Sequence, residues 1–291
     1  MTSSVDDLID LLTLEEIDAN LFRGQSLDFG SKRVFGGQVL GQALSAANRT
    51  VDERVVHSLH AYFLRGGDPE APIIYEVDRQ RDGRTYASRR VVAIQHGRPI
   101  LNLAASFQSP EQGLEHQDPM PAVPAPADLK DMGEYRREFL ARMPESKLPR
   151  FLLLERPFEF RPVEPPPFID PGAKPARSHI WFRTVERLPD DDDLHRNVLT
   201  YLSDYSMIVV ATRPHGAAFE SRDFQLTSLD HALWFQRPFR VDEWLLYAVE
   251  SPSATGARGF VNGRIYCEDG TLVALVAQEG VMRVFPKAAA S

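Results

Sequence analysis

Two stretches of this 291-residue chain read alike at a separation of 170 to 172 residues. Ser58-Leu59-His60-Ala61-Tyr62-Phe63 is followed by Tyr75-Glu76-Val77-Asp78, an alternating run and Ala104-Ala105-Ser106-Phe107. Ser228-Leu229-Asp230-His231-Ala232-Leu233 is followed by Tyr247-Ala248-Val249-Glu250, a second alternating run and Val276-Ala277-Gln278-Glu279. That period is too long for a solenoid, whose units run to about 50 residues, and suits a duplicated domain. Each copy is preceded by one helix candidate. Residues 37 to 47 carry no charged side chain, so burial on most sides is expected. Asp191 to Val209 opens with acidic residues suited to a helix N-terminus and continues with Leu194, Val198, Leu199, Tyr201, Leu202 and Tyr205. After each helix, period-two alternation predicts four strands: 55–64, 72–81, 85–95 and 99–108, then 223–235, 244–253, 257–267 and 272–283. Asp82-Gly83, His96-Gly97 and Asp269-Gly270 supply hairpin signals between them.

Between the copies the chain changes character. Of its 22 prolines, 14 fall from Pro110 to Pro175, where they block sheet ladders and punctuate helix. The expected division is therefore a first repeat at 1–110, a proline-rich connection at 111–176 and a second repeat at 177–291. Short helices are expected in the connection at Asp131–Arg142 and Leu148–Glu155. One buried helix followed by consecutive antiparallel strands, done twice, is an α+β architecture in which each sheet curls around its helix.

Charge and cysteine content remove whole classes of function. A net charge of -8 and a pI near 5.5 argue against a nucleic-acid partner, since phosphate binding rests on clustered Lys and Arg. The single cysteine, Cys267, excludes internal disulfides and multi-cysteine metal sites, and it fits a reducing compartment, with the cytoplasm as the expectation. Asp6, Asp7 and Asp10 near the N-terminus oppose the basic-then-apolar order of a signal peptide. Uninterrupted apolar runs such as Met207 to Ala211 are far short of a membrane span, so no membrane partner is expected. Gly-x-Ser-x-Gly, P-loop and dinucleotide fingerprints are absent from the sequence.

Five blocks in order resemble the acyl-CoA thioesterase II family: Leu21-Phe22-Arg23-Gly24-Gln25-Ser26, Val34-Phe35-Gly36-Gly37-Gln38-Val39, His57 to Arg65, Leu229-Asp230-His231-Ala232-Leu233-Trp234-Phe235 and Gln278-Glu279-Gly280-Val281-Met282-Arg283. The resemblance covers nearly the whole chain outside the proline-rich middle. It implies a double hotdog, two tandem repeats each with an antiparallel sheet wrapped around a central helix. It also implies hydrolysis of fatty acyl-CoA to fatty acid and CoA by an activated water, with no cofactor and no metal. In that family a carboxylate, a Ser or Thr hydroxyl and a Gln amide hold the water, and by motif these fall on Asp204, Ser228 and Gln278.

Each residue also has a reading of its own. Asp204 lies near the end of the second predicted helix, where a negative charge opposes the macrodipole at a cost of about 0.3 to 1 kcal/mol. Partial burial would lift its pKa towards that of a useful base, while hydrogen bonds from Ser228 and Gln278 would keep it ionised. Otherwise it is a solvent-facing or structural carboxylate. Ser228 competes with Thr227 for the hydroxyl role, and only the strand register decides between them. Strict alternation puts Ser228 and Asp230 on one face and His231 on the other. Gln278 offers both a donor and an acceptor on a strand, or else is an edge residue without a role. Gly36 and Gly37 are candidate substrate-binding residues, because free N–H groups at a helix start can polarise a carbonyl or meet a phosphate, and close helix packing accounts for them equally well. His57 is a further substrate-binding candidate. It stands three residues from His60 on a strand, which disfavours a two-His metal site. Cys267 reads as packing. Two other readings stay open: a hotdog acyl-CoA hydratase or dehydratase, which needs a His with a carboxylate in the groove, and a non-catalytic acyl-CoA-binding sensor. Exposed sheet edges leave room for homo-oligomers.

Overall fold

The computed structural model describes residues 4–27, 33–142, 156–216 and 224–285. Among them stand four helices, α1 (Val5–Leu12), α2 (Gly36–Asn48), α3 (Met132–Leu140) and α4 (Asp192–Ser203). The strands of the first half are β1 (Glu15–Asp18), β2 (Leu21–Gly24), β3 (Val55–Phe63), β4 (Ile73–Asp82), β5 (Tyr86–Gln95) and β6 (Arg98–Gln108). Those of the second are β7 (Phe158–Pro162), β8 (Arg177–Thr184), β9 (Phe224–Ser228), β10 (Asp230–Phe235), β11 (Leu245–Thr255), β12 (Arg258–Cys267) and β13 (Leu272–Val284).

The strands form one sheet in the order β1-β2-β4-β5-β6-β3-β10-β13-β12-β11-β8-β7, with β9 also on β13. Read outward from the β3–β10 seam, the two halves have the same order of strands. The seam is antiparallel, Tyr62 opposite Asp230 and Ser58 opposite Trp234, so no open edge separates the halves.

The charge-free helix α2 is buried from Gly37 to Ala47. Its polar side chains serve backbone that would otherwise be orphaned: Gln42 Nε2 donates to Leu11 O at 2.7 Å and Ser45 Oγ to Leu12 O at 2.8 Å, both carbonyls at the end of α1. Helix α4 lies against α2, and two glycines set the spacing. A Cβ at Gly37 would stand 2.2 Å from Tyr201 O, and one at Gly41 would stand 3.1 Å from Asn197 O. The helices therefore touch backbone to backbone, which only glycine allows.

Three differences from the sequence reading stand out. Helix α4 ends at Ser203 instead of reaching Val209; Ser206 takes a left-handed φ of 58° and a 3-10 turn follows at Ile208–His215. The expected strand 223–235 breaks at Leu229 into β9 and β10. The proline-rich connection contains a strand, β7, paired to β8, with Pro162 at its end on the outermost strand, where no ladder hydrogen bond is lost. Within that connection, α3 occupies the expected place with Asp131 as its N-cap, whereas Leu148–Glu155 lies outside the described residues. At His96-Gly97 both residues have positive φ, 49° and 69°, as a tight hairpin turn requires.

Candidate active site

Asp204 caps the C-terminus of α4 and reaches the N-terminus of α2, where Phe35 offers no side-chain cap. The Gly37 backbone N–H donates to its carboxylate, so the positive end of one helix offsets the unfavourable end of the other. Gln278 Nε2 donates to Asp204 Oδ1 at 2.8 Å, and Ser228 Oγ approaches the same oxygen at 3.5 Å. A Cβ on Gly36 would fall 2.6 Å from Oδ2 and 3.0 Å from the Phe63 ring. Position 36 must therefore stay bare for the carboxylate to sit there.

Asp204 keeps some accessible surface, yet protein surrounds its carboxylate over the range that sets desolvation. The wider surroundings govern the charge, because the carboxylate's hydration is what burial removes. Burial lifts the pKa to about 7, against hydrogen bonds from Gln278, Gly37 and Ser228 that lower it. A carboxylate so held is poised near neutrality, where a general base would combine availability with proton affinity.

The break at Leu229 decides which side chains face it. Ser228 is opposite Gly280 and Ala232 opposite Ala277, so Leu229 and Asp230 together face one residue, Glu279. This is a β-bulge, held by Leu229 N to Glu279 O at 2.8 Å and Glu279 N to Asp230 Oδ1 at 2.6 Å. The extra residue resets the alternation. Ser228 and His231 share the inner face with Gln278, and Asp230 turns outward, the reverse of the strict-alternation expectation. The register also separates Ser228 from Thr227: the hydroxyl beside Asp204 is that of Ser228.

The remaining candidates divide. Gly37 has its N–H engaged by Asp204 and is not a free donor for substrate; Gly36 lies at the site as a space. His57 is not brought there. It sits six residues, about 20 Å of strand, from Phe63, with Nε2 at 2.8 Å from Ser106 Oγ and its ring edge-on to Tyr86. A register shift between Val56 and Ser58 re-aims that part of β3. Burial pushes the Cys267 thiol up to about 11, which leaves it no nucleophile at neutral pH. Among the described residues no cluster of three or more His, Cys, Asp or Glu is placed to hold a metal ion, and no helix is long and apolar enough to cross a membrane.

Comparison with known proteins places the chain in a family. The acyl-CoA thioesterase family model matches residues 153–281, and that of the acyl-CoA thioesterase N-terminal domain matches 26–108. Acyl-CoA thioesterase 2 of Haemophilus influenzae is 42% identical over 97% of this chain and 99% of its own. Acyl-coenzyme A thioesterase 8 of Homo sapiens is 42% identical over 97% of this chain and 90% of its own. Among solved structures, the acyl-CoA thioesterase II TesB2 from Mycobacterium marinum superposes with a TM-score of 0.77 at 42% identity, covering 96% of this chain and 98% of that one. A hot dog fold protein from Alicyclobacillus acidocaldarius, at 18% identity and a TM-score of 0.74 over 96% of this chain and 98% of its own, shares the fold alone. The fold is a double hotdog, and the candidate site brings together a carboxylate, an amide and a hydroxyl. The chain belongs to the acyl-CoA thioesterase family.

Proposed function

We propose that this chain hydrolyses fatty acyl-CoA through a water held between Asp204, Ser228 and Gln278, in one site per chain. The observation that carries the reading is the convergence of Gln278 and Ser228 on one oxygen of a carboxylate whose pKa is lifted to about 7. As the water oxygen bonds to the thioester carbon, Asp204 accepts the water's proton. The tetrahedral oxyanion collapses, the C–S bond breaks, and the leaving thiolate takes the proton back from Asp204, giving free acid and thiol. A thiolate is a good leaving group, its acid having a pKa of about 8.5, so no stronger acid is needed. Gln278 donates one amide N–H to Asp204 and has a second for the developing oxyanion. The substrate class follows the family, and the cytoplasm remains the proposed compartment from the lone cysteine.

Among the described residues, the first half has no carboxylate or amide at the positions that match Asp204 and Gln278. Residue by residue, helix end to helix end, the C-cap matching Asp204 is Arg49, a guanidinium held by Leu14 O and Glu16. The repeat partner of Gln278 is Ser106, engaged by His57. With thiol release from a panel of fatty acyl-CoAs as the assay, Gln278→Ala is expected to lose roughly 100-fold or more in kcat, and Ser106→Ala only a few-fold. A near-neutral Gln278→Ala beside an inactive Ser106→Ala would move the site to the other half.

Ser228 positions water and does not attack. Ser228→Thr is expected to keep substantial activity and Ser228→Ala to lose much of it. Mass spectrometry of enzyme quenched during turnover should find no acyl group on Ser228; an acyl-serine adduct there would overturn direct water attack.

A further inference from the structure

His231 is an imidazole that the reaction above does not use, sealed at 1% exposure behind the site. The bulge turns it inward beside Gln278, which lies one register step beyond the Ala232–Ala277 pair on the adjacent strand. Its Nε2 lies 2.8 Å from Ser203 Oγ, on the residue that precedes Asp204. On the other side, His231 Nδ1 and Gln278 Oε1 are both buried and both lack a well-formed hydrogen bond, although Gln278 lies close enough to pull on the imidazole's proton affinity.

The amide orientation is fixed first. Only the nitrogen can donate to Asp204 Oδ1 at 2.8 Å, so Oε1 points away from the carboxylate. The Ser203 hydroxyl has one proton and two acceptors in reach, Thr200 O at 2.9 Å and His231 Nε2. If that proton goes to Thr200 O, the imidazole must carry its own on Nε2. Its bare Nδ1 lone pair then stands in the same closed space as the bare Oε1, and both stay unsatisfied. If the proton goes to Nε2, the imidazole carries Nδ1–H, which can serve Oε1, and one backbone carbonyl gives up one side-chain donor. The second arrangement leaves fewer buried groups unmade, which is the costlier side of hydrogen bonding.

We propose that His231 is a positioning residue for thioester hydrolysis, a neutral Nδ1–H imidazole that holds Gln278 Oε1 and so keeps the amide nitrogen on Asp204. This rests on the assignment of Asp204 and Gln278 to the reaction. The chain Ser203, His231, Gln278, Asp204 runs donor to acceptor throughout, and a donor on Oε1 polarises the amide so that its N–H groups donate more strongly. The groups acting on His231 are its apolar surroundings and Gln278; those acting on Asp204 are its surroundings, Gln278, Gly37 and Ser228. The other titratable group coupled to Asp204, Tyr247, stays protonated far above neutrality. Burial takes the imidazole's own pKa down to about 3, so it remains neutral wherever the enzyme works.

The test has three arms on the whole chain. His231→Leu is expected to lower kcat about 10- to 100-fold and to move the acid limb of kcat/KM to higher pH, because weaker donation from Gln278 lets the Asp204 pKa rise. His231→Asn, whose amide nitrogen can occupy the place of Nδ1, should recover most of both. In a Gln278→Ala background, His231→Leu should cost nothing further, since His231 acts only through that amide. An unmoved acid limb, or the same loss in both backgrounds, overturns the positioning role. If Gln278→Ala itself is near wild type, the failure lies in the site assignment instead. Nitrogen NMR of the His231 ring in the unsubstituted protein is expected to show the Nδ1–H tautomer from pH 5 to 9. An Nε2–H tautomer, or protonation near pH 6.5, overturns the proposal whether or not the variants fold.

Discussion

Asp204→Asn is expected to fold and to lose roughly 100- to 10,000-fold in kcat, the usual contribution of a positioned base. The amide keeps the shape but has no affinity for a water proton. Thermal melting before the kinetic measurement separates loss of chemistry from loss of fold. In the unsubstituted protein kcat/KM should fall as pH drops through about 7, where Asp204 takes up a proton; the Asn variant should lack that limb. A folded Asn variant with near wild-type kcat would remove Asp204 from the mechanism. The same shift has a stability signature. The folded pKa lies above the unfolded value of 3.8, so between pH 4 and 7 the folded state binds more protons than the unfolded one. Stability therefore declines as pH rises through that window and is flat beyond it. Subtracting the Asn variant's unfolding curve, pH by pH, isolates this slope, and its absence would mean the carboxylate is well hydrated.

Gly37→Ala should be the most damaging small substitution in the molecule. In an ordinary helix the change gains up to about 1 kcal/mol, but here the new methyl would stand 2.2 Å from Tyr201 O and 2.5 Å from the Phe35 ring. Backbone cannot rotate aside as a side chain can, so α2 and α4 must separate, at a cost of about 3 kcal/mol or more. The expected readout is a Tm lower by roughly 5 to 10 °C, with kcat reduced in whatever folds, because the N–H that holds Asp204 moves with the helix. Gly113→Ala, where a Cβ meets nothing within 4 Å, is the control and should melt with the parent. Equal Tm values for the two variants would show that the helices are not in backbone contact.

Much of this was legible in the residues because it depends on period and composition. Alternation located β3 to β6 and β11 to β13 to within about two residues at either end, and the lack of charge from 37 to 47 marked a helix wrapped by sheet, but the eight-residue β8 was missed. Short strands near the ends of the sheet escaped: β1, β2 and β7 span four or five residues, too few for a period to emerge, and β7 stands among prolines that argue against a strand. The end of α4 escaped because Ser206 adopts a left-handed backbone that its residue type does not announce. The bulge escaped for a related reason. No glycine or proline marks Leu229-Asp230, and the extra residue appears only when the partner strand is known. That single residue inverted the faces of everything after Ser228 and hid His231 from the sequence reading.

Gly37 belongs to the first half of the chain and Asp204 to the second, and β3 and β10 are the only strands that pair across the seam among the described residues. Each half alone would thus present an unfinished site and a bare sheet edge. Carrying both on one chain makes their meeting a unimolecular event, so the working fraction does not depend on how dilute the protein is. Two separately expressed halves would follow a different law: at low concentration their activity would rise with the square of the amount present, and it would flatten only once the pieces found each other as readily as the tether ensures.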